Sequence, residues 1–259
     1  SEDLYQFIDL NGKVILPPKK DYYCSDHFKN GFILVQRKDK KKNLIDQYGK
    51  LHCRKWYEDL KQMNGDLIPF KEHGKWGVIN NKEEIMLEPK FEIISEFQEG
   101  VAFFKDCKGF SFINKEMKRI TKSYFEDVQG FCEGMAAIKI NGKWGFINKK
   151  GEIVIKPAFH DVGRFSEGLA TFSPFPQFPL YGFIDITGKE IIKPLFEGSG
   201  FFENGVCKIT VVKGSIGVPN YIWCYIDREG KIIWEPSFQA CRISEKDLEE
   251  ILKEIRSSN

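Results

Sequence analysis

The chain has 259 residues and a formal net charge of +2, which suits one large domain or a single repeat array. The balanced charge excludes a strong overall field, so nucleic-acid binding is not expected, and no apolar run is long enough to predict a membrane-spanning helix. Hydrophobic residues make up 42% of the chain and aromatic residues 14%, with 23 Phe, which excludes a disordered chain and favours strands.

A short pattern recurs along the whole chain: an apolar residue, then Ile, then Asp or Asn. The spacings between successive isoleucines are 37, 34, 34, 34, 37 and 42 residues, which indicates tandem repeats. The seven copies are Phe7-Ile8-Asp9, Leu44-Ile45-Asp46, Val78-Ile79-Asn80, Phe112-Ile113-Asn114, Phe146-Ile147-Asn148, Phe183-Ile184-Asp185 and Tyr225-Ile226-Asp227.

Two further landmarks keep the same period. One is a glycine that precedes an apolar run, and the other is a residue, usually aromatic, three positions before each isoleucine. The glycines are Gly31, Gly65, Gly100, Gly134, Gly168 and Gly205. The second set is Tyr5, Lys42, Trp76, Phe110, Trp144, Tyr181 and Trp223.

The clearest repeat runs from Gly134 to Phe165 and predicts three short antiparallel strands, A, B and C. Strand A is the run 135–138, strand B contains Trp144 and strand C covers 152–157. Strand C commonly reaches a proline, which lacks an amide donor and is therefore expected to end the strand. In five copies a glycine follows three residues after the Asp or Asn and predicts a tight B–C turn. Glu83 and Met117 replace this glycine, so distorted turns are expected there.

The residues 74–80 (GKWGVIN) and 142–148 (GKWGFIN) closely resemble the bacterial WG repeat, also called KWG. The resemblance extends from about Tyr5 to Phe238 and is weaker where Lys42-Asn43, Phe110-Ser111 and Trp223-Cys224 replace Trp-Gly. It implies a β-repeat family without a general catalytic activity and carries over no catalytic residue. The structural motif residues are Trp76, Gly77, Trp144, Gly145, Tyr181, Gly182 and Trp223.

The predicted fold is an all-β tandem array of about seven 34-residue, three-stranded β-meander repeats. A repeat this small cannot bury its own core, so the repeats form either a propeller-like ring or an open twisted β-superhelix. The repeats, numbered one to seven, lie near residues 1–30, 31–64, 65–99, 100–133, 134–167, 168–204 and 205–243. Residues 244–259 predict a capping or docking helix, because Ser244 can cap it and the apolar residues fall on one helical face. Those residues are Leu248, Ile251, Leu252 and Ile255.

No motif for a metal, a nucleotide or a nucleophile appears in the sequence, so no catalytic residue, metal site or cofactor is predicted. Glu99, Glu133 and Glu167 recur at one place in their repeats, which indicates a structural role in the turn. The same repetition favours core packing for Trp76 and Trp144 over stacking on sugars. The chain is therefore interpreted as a non-enzymatic module.

Two insertions lengthen the A–B turn, one at 173–180 in repeat six and one at 213–221 in repeat seven. Loops on a rigid scaffold are where binding usually resides. The predicted anchors for a protein partner are Phe175, Phe178, Ile216 and Tyr221, since a few aromatic or aliphatic groups dominate most interfaces. The open alternative is that these loops fold back onto the array.

Three hypotheses for function remain open: a protein-binding scaffold in a bacterial cell, a lectin-like carbohydrate-binding module, and an enzyme whose site has no sequence signature. The seven cysteines have irregular spacings and no CxxC pair, which favours reduced thiols and the cytoplasm. No signal peptide is present at Ser1, and a truncated N-terminus leaves export open.

Overall fold

The computed structural model describes residues 7–8, 14–16, 22–24, 28–177, 180–213 and 220–234. Every element within these residues is a β-strand, so the all-β prediction is confirmed. The helix predicted for 244–259 lies outside the described residues. The chain divides into two compact units, one of residues 1–131 with 149–151 and the other of residues 132–148 with 152–259.

The first compact unit contains small antiparallel sheets that follow the order of the chain. Strand β1 pairs with β2, and the larger sheets have the orders β3-β4-β5, β6-β7-β8-β9 and β10-β11-β12. The described strands are β1 (Phe7–Ile8), β2 (Val14–Leu16), β3 (Tyr22–Cys24), β4 (Phe32–Arg37), β5 (Lys42–Asp46), β6 (Asp59–Leu60), β7 (Leu67–Glu72), β8 (Lys75–Asn80), β9 (Ile85–Phe91), β10 (Ile93–Ile94), β11 (Val101–Asp106), β12 (Gly109–Asn114) and β13 (Asp127–Val128).

The second compact unit repeats the arrangement, with the sheet orders β14-β15-β16, β17-β18-β19-β20 and β21-β22-β23-β24. Its described strands are β14 (Met135–Ile140), β15 (Lys143–Asn148), β16 (Ile153–Phe159), β17 (Asp161–Val162), β18 (Leu169–Ser173), β19 (Tyr181–Asp185), β20 (Glu190–Phe196), β21 (Gly198–Ser199), β22 (Cys207–Lys213), β23 (Asn220–Ile226) and β24 (Ile232–Trp234).

The prediction of three strands per repeat was incomplete, because the segment between repeats adds a two-residue strand. In the sheet β17-β18-β19-β20, Asp161 pairs with Ser173 and Val162 pairs with Phe172, ahead of the predicted A–B hairpin. The same short strand opens the sheets of β6, β10 and β21. Strands A, B and C of the prediction therefore correspond to the second, third and fourth strands of a sheet.

The outer strand does not end at its proline, contrary to the prediction. In β16 the pairing skips from Phe146–Ile155 to Trp144–Phe159, so the strand bulges outward and resumes beyond Pro157. The bulge brings backbone directly over Gly145. A Cβ on Gly145 would lie 2.5 Å from the carbonyl oxygen of Ile155 and 2.6 Å from the nitrogen of Pro157. The Trp-Gly pair and the distant proline are thus parts of one local structure.

Two of the repeats that lack this glycine have a different outer segment. The sheets of repeats two and four have three strands, and isolated bridges replace the outer strand. Asn43 stands at the glycine position of repeat two, and its side chain bonds to the backbone of Cys53 and Lys55. Ser111 stands there in repeat four and bonds to the Thr121 hydroxyl at 2.7 Å. Polar side chains therefore take the place of ladder hydrogen bonds.

The distorted turns expected at Glu83 and Met117 are not found. Both residues have a positive φ, 62° and 59°, and both donate the same turn hydrogen bond that glycine donates in Gly49 N–H to Asp46 O, each at 3.0 Å. The turn geometry is kept, and a residue with a side chain is held in a conformation that normally favours glycine.

Successive sheets bury their cores against one another. Phe165 and Phe202, from the segments between repeats, are almost completely buried and meet Phe146 and Phe183 edge-on at 4.9 Å. The cluster around Phe183 continues into the next sheet, which contributes Cys207, Ile209, Val211, Cys224 and Ile226. Each sheet is thus covered by its successor, which is why one repeat alone cannot make a core.

Candidate binding surface

The outer strands expose an aliphatic residue at the same register position in four repeats. The first residue of the outer strand pairs with the strand-B isoleucine, and the second residue is exposed and aliphatic in all four repeats. Its exposed fraction is between 40% and 50% in every copy. These residues are called the outer row: Met86, Val154, Ile191 and Ile233.

The sequence analysis missed the outer row, although a signal was present. A half-buried strand alternates apolar and polar residues, whereas two of these strands begin with consecutive apolar residues, Ile153-Val154 and Ile232-Ile233. Both residues of each pair are exposed. Three members of the outer row lie in the second compact unit.

The last described sheet also exposes aromatic rings. Trp223 and Trp234 are 43% and 45% exposed, and their rings stack at 4.9 Å with an interplanar angle of 25°. Tyr225 lies edge-on to both rings, and Lys208 Nζ lies 4.7 Å from the centroid of Trp223. Trp223, Tyr225 and Trp234 are called the aromatic face.

Trp223 stands at the motif position of two buried tryptophans but is itself exposed. Trp76 and Trp144 are 6% and 8% exposed, as predicted, and each pairs with a phenylalanine of its outer strand. Tyr181 is half-buried in the corresponding place, while Gly77, Gly145 and Gly182 all lie under the outer-strand bulge. Among the described residues, β24 is the last strand.

Two of the four predicted anchor residues lie within the described part of the chain. Phe178 and Ile216 lie outside the described residues. Phe175 is half-buried, and its amide bonds to the hydroxyl of buried Ser173 at 3.3 Å. Tyr221 is 62% exposed, because the insertion of repeat seven extends the β22–β23 hairpin by the pairs Val212–Tyr221 and Lys213–Asn220.

The repeated glutamates are used to join repeats, which agrees with their predicted structural role. The Glu133 carboxylate accepts the amides of Glu167 and Gly168 at 2.6 and 2.7 Å. The Glu167 carboxylate in turn accepts the amide of Gly205 at 2.9 Å. Each acid binds the equivalent tight turn of the next repeat. These paired contacts are called the glutamate clamp.

The Glu83 carboxylate lines a cavity in the first compact unit. The cavity has a volume of about 320 Å³ and is lined by Arg54, Lys55, Tyr57, Phe70, Glu72, Ile79, Lys82, Glu83 and Ile85. Glu83 accepts the Arg54 amide at 2.8 Å and the Tyr57 hydroxyl at 3.1 Å. Burial raises the pKa of Tyr57 above its usual range, and the Glu83 charge adds to this shift. The Glu83 side chain therefore anchors its turn to repeat two.

Among the described residues, no group of three His, Cys, Asp or Glu side chains could hold a metal ion. His160 Nε2 is hydrogen-bonded to Lys143 Nζ. None of the six described cysteines takes part in a disulfide. Within the described part of the chain there is also no helix that could cross a membrane.

The family profile described as WG containing repeat matches residues 7–41, 76–106, 110–144, 144–173 and 181–214. These spans cover more than half of the chain. The chain belongs to this family. The matches to WG repeats include Trp76-Gly77, Trp144-Gly145 and Tyr181-Gly182, so the resemblance inferred from these motifs is confirmed. No curated protein matches the chain in sequence.

Solved structures of β-propeller-like fold resemble this WG-repeat chain. A eukaryotic initiation factor is 11% identical with a TM-score of 0.55, and the match covers 87% of this chain and 69% of that chain. Hsv2p from Kluyveromyces lactis is 10% identical with a TM-score of 0.50, covering 83% of this chain and 88% of that chain. At these identities the likeness concerns the fold alone.

Proposed function

We propose that this WG-repeat chain is a non-enzymatic scaffold that binds another protein through the outer row of its second compact unit. The observation that carries this proposal is the recurrence of an exposed aliphatic residue at one register position, in Val154, Ile191 and Ile233. Exposed apolar groups that recur in register form an extended surface, and such surfaces usually mark protein contacts.

The charges beside the outer row indicate the chemistry of the partner. Lys156, Lys189, Lys193 and Lys231 are exposed on or next to the outer strands, beside Glu152, Glu190, Glu197 and Glu229. A partner segment that combines aliphatic side chains with charges of both signs therefore fits this surface best. The lysines act at the rim, where they affect the rate and specificity of binding more than its strength.

The non-enzymatic part of the proposal is supported by how the recurring acids are used. The carboxylates of Glu133 and Glu167 accept hydrogen bonds from backbone amides of the next repeat. The Glu83 carboxylate accepts hydrogen bonds from the Arg54 amide and the Tyr57 hydroxyl. A general acid or base needs a proton-donating or proton-accepting atom directed at a substrate. The bacterial and cytoplasmic setting inferred from the sequence stays a prediction.

Carbohydrate binding is the second candidate, because the aromatic face exposes two tryptophans. Sugars stack on a free face of an aromatic ring. The Trp223 ring is already in contact with Trp234 and Lys208 Nζ, which reduces the ring surface left for a sugar and favours a protein partner.

The experiment compares two variants of equal charge. In Val154→Asp/Ile191→Asp the outer row is disrupted, while in Tyr48→Asp/Ile186→Asp two exposed apolar residues outside it are changed. Proteins captured by the wild-type chain are quantified by mass spectrometry, and the partner so found is purified and titrated. We expect its Kd to rise at least tenfold with the first variant and to stay within twofold with the second.

Two results would redirect the proposal. If Phe175→Ser/Phe178→Ser weakens the same partner while the outer-row variant does not, the predicted A–B edge is the binding surface. If no partner depends on either surface, and a glycan array shows binding that Trp223→Ala abolishes, the lectin-like alternative is correct.

A further inference from the structure

The cavity beside Glu83 lies where repeats two and three meet, and equivalent junctions in the second compact unit are closely packed. There the B–C turn glycine of one repeat contacts an isoleucine on the outer strand of the repeat before it. A Cβ on Gly188 would lie 3.1 Å from Cγ2 of Ile155, and a Cβ on Gly230 would lie 3.0 Å from Cγ2 of Ile192. Little room is therefore left between turn and strand at those junctions.

Two residue differences explain why the junction of repeats two and three is open. Cys53 stands eight residues after the strand-B isoleucine, where Ile155 and Ile192 stand in later repeats, and its side chain is smaller. Glu83 replaces the turn glycine, and its carboxylate accepts the Arg54 amide at 2.8 Å. A polar bridge thus takes the place of a direct apolar contact, and a cavity of about 320 Å³ remains.

The interior of this cavity is apolar. Tyr57, Phe70 and Ile79 line it and are almost completely buried, while Ile85 is exposed. The rings of Tyr57 and Phe70 meet edge-on at 5.3 Å. Ligand pockets usually have volumes of about 300–1,000 Å³, and this volume equals that of about ten molecules of liquid water. A small ligand with an apolar body therefore fits the cavity.

The charged groups of the cavity leave one cation without an ion pair. Lys55 Nζ lies 2.8 Å from the Glu72 carboxylate, and the Arg54 Nε lies 3.9 Å from that of Glu83. Lys82 makes no ion pair with any other residue of the described chain. The Arg54 side chain is 91% exposed and is free to turn toward a ligand. Three bases against two acids favour a ligand with a negative charge.

We propose that this cavity binds a small amphipathic carboxylate. Its apolar body would contact Phe70 and Ile79, and its carboxylate would lie between Arg54 and Lys82. A carboxylate matches this pair because a guanidinium donates two parallel hydrogen bonds to it, and an ammonium adds a third donor. This site lies in the first compact unit, so the proposal does not depend on the outer row or on the proposed function.

The test titrates the full chain with phenylacetate and three related probes, while NMR follows the backbone amides of Arg54 and Glu83. The probes 2-phenylethanol and 2-phenylethylamine keep the ring but end in a neutral or a positive group, and acetate keeps the carboxylate without the ring. We expect phenylacetate to bind with a Kd of about 1 mM. The other three probes should bind on the order of tenfold more weakly.

Two exposed residues of the cavity are then changed, each with a matched control. Lys82→Ala should weaken phenylacetate binding about fivefold and leave 2-phenylethanol unchanged, because it removes only a charge. Lys118→Ala, in the B–C turn of repeat four, should alter neither probe. Ile85→Ser should weaken both probes that carry a ring, whereas Ile153→Ser, at the same outer-strand position in repeat five, should weaken neither.

Several outcomes would overturn the proposal. Equal affinity for 2-phenylethylamine and phenylacetate would show that the charges do not select an anion, and equal affinity for acetate would show that the apolar interior is not used. The absence of shifts at the Arg54 and Glu83 amides, or equal effects of Lys82→Ala and Lys118→Ala, would show that no carboxylate occupies the cavity. Unchanged urea midpoints in the four variants confirm that the fold is kept.

Discussion

The glycine of the Trp-Gly pair is required by the outer strand rather than by its own backbone. At Gly145, a side chain would meet main-chain atoms of Ile155 and Pro157, which cannot move without breaking the sheet. The sequence identified this residue as part of a motif, but its reason was not predictable because the contacting atoms come from a bulge ten or more residues later. The need for glycine at this motif position is therefore visible only in the folded structure.

Gly145→Ala is expected to lower the free energy of unfolding by about 3 kcal/mol, since overpacking against backbone has no cheap relief. Gly142→Ala is the control, because its added Cβ meets nothing within 4 Å and carries only the cost of its φ of +72°, about 1 kcal/mol. Urea unfolding measures both. Equal losses would mean that the bulge yields and that the close approach is unimportant.

Trp144→Ala should cost about 3 kcal/mol or more, because a large buried ring leaves a cavity. Trp223→Ala occupies the same place in the motif but removes a ring that is 43% exposed, so a loss of about 1 kcal/mol is expected. Thermal and urea unfolding of the two variants give the comparison. Similar losses would show that the aromatic face is as well packed as the core.

At the scale of the element, the sequence predicted strand order and turn positions well, because these depend on local periodicity. It failed where a contact from another repeat decides the local structure. Glu83 keeps a glycine-like turn because its side chain is anchored on Arg54 and Tyr57, and Met117 because it packs on the core around Phe97 and Phe104. Strand β16 continues past Pro157 because the missing donor falls inside a bulge.

Glu133→Ala is expected to cost about 1 kcal/mol, since it removes two charge-assisted hydrogen bonds at an exposed site. Hydrogen exchange should be faster at the amides of Glu167 and Gly168, which would lose their acceptors. Glu229→Ala, in the B–C turn of repeat seven, is the control. Unchanged exchange at both amides would contradict the glutamate clamp.

At the scale of the whole molecule, the sequence predicted which residues are apolar but not which of them are covered. Trp144 and Trp223 share a motif position, yet their exposed fractions are 8% and 43%. The outer row was missed for the same reason, because strand patterning does not reveal an edge that no neighbour covers. The candidate binding surface was therefore harder to predict from the sequence than the fold.

Stability should fall as the pH rises from about 9 to 12. Burial, with a hydrogen bond to Asp161, raises the pKa of Tyr181 to about 12, and burial raises that of Cys53 to about 12 and that of Cys207 to about 11. In the unfolded chain the thiols titrate near pH 9 and the tyrosine hydroxyl near pH 10. The contribution of these groups to stability is therefore fully present below pH 9 and is lost as the pH rises through their pKa values in the folded chain.

Urea midpoints measured from pH 8 to pH 11 test this expectation. Tyr181→Phe should reduce the pH dependence, whereas Tyr48→Phe, at an 80% exposed site, should leave it unchanged. A midpoint independent of pH in the wild-type chain would show that the buried hydroxyl and thiols ionise as readily in the fold as in the unfolded chain.

The bulged outer strand also governs how the protein behaves toward copies of itself. A straight seven-residue edge strand with exposed aliphatic side chains would be a template for fibrous assembly. In β16 and β20 a proline removes one donor, and the bulge breaks the regular spacing of the others. These interruptions disfavour regular edge-to-edge pairing of β16 or β20 between copies of the chain.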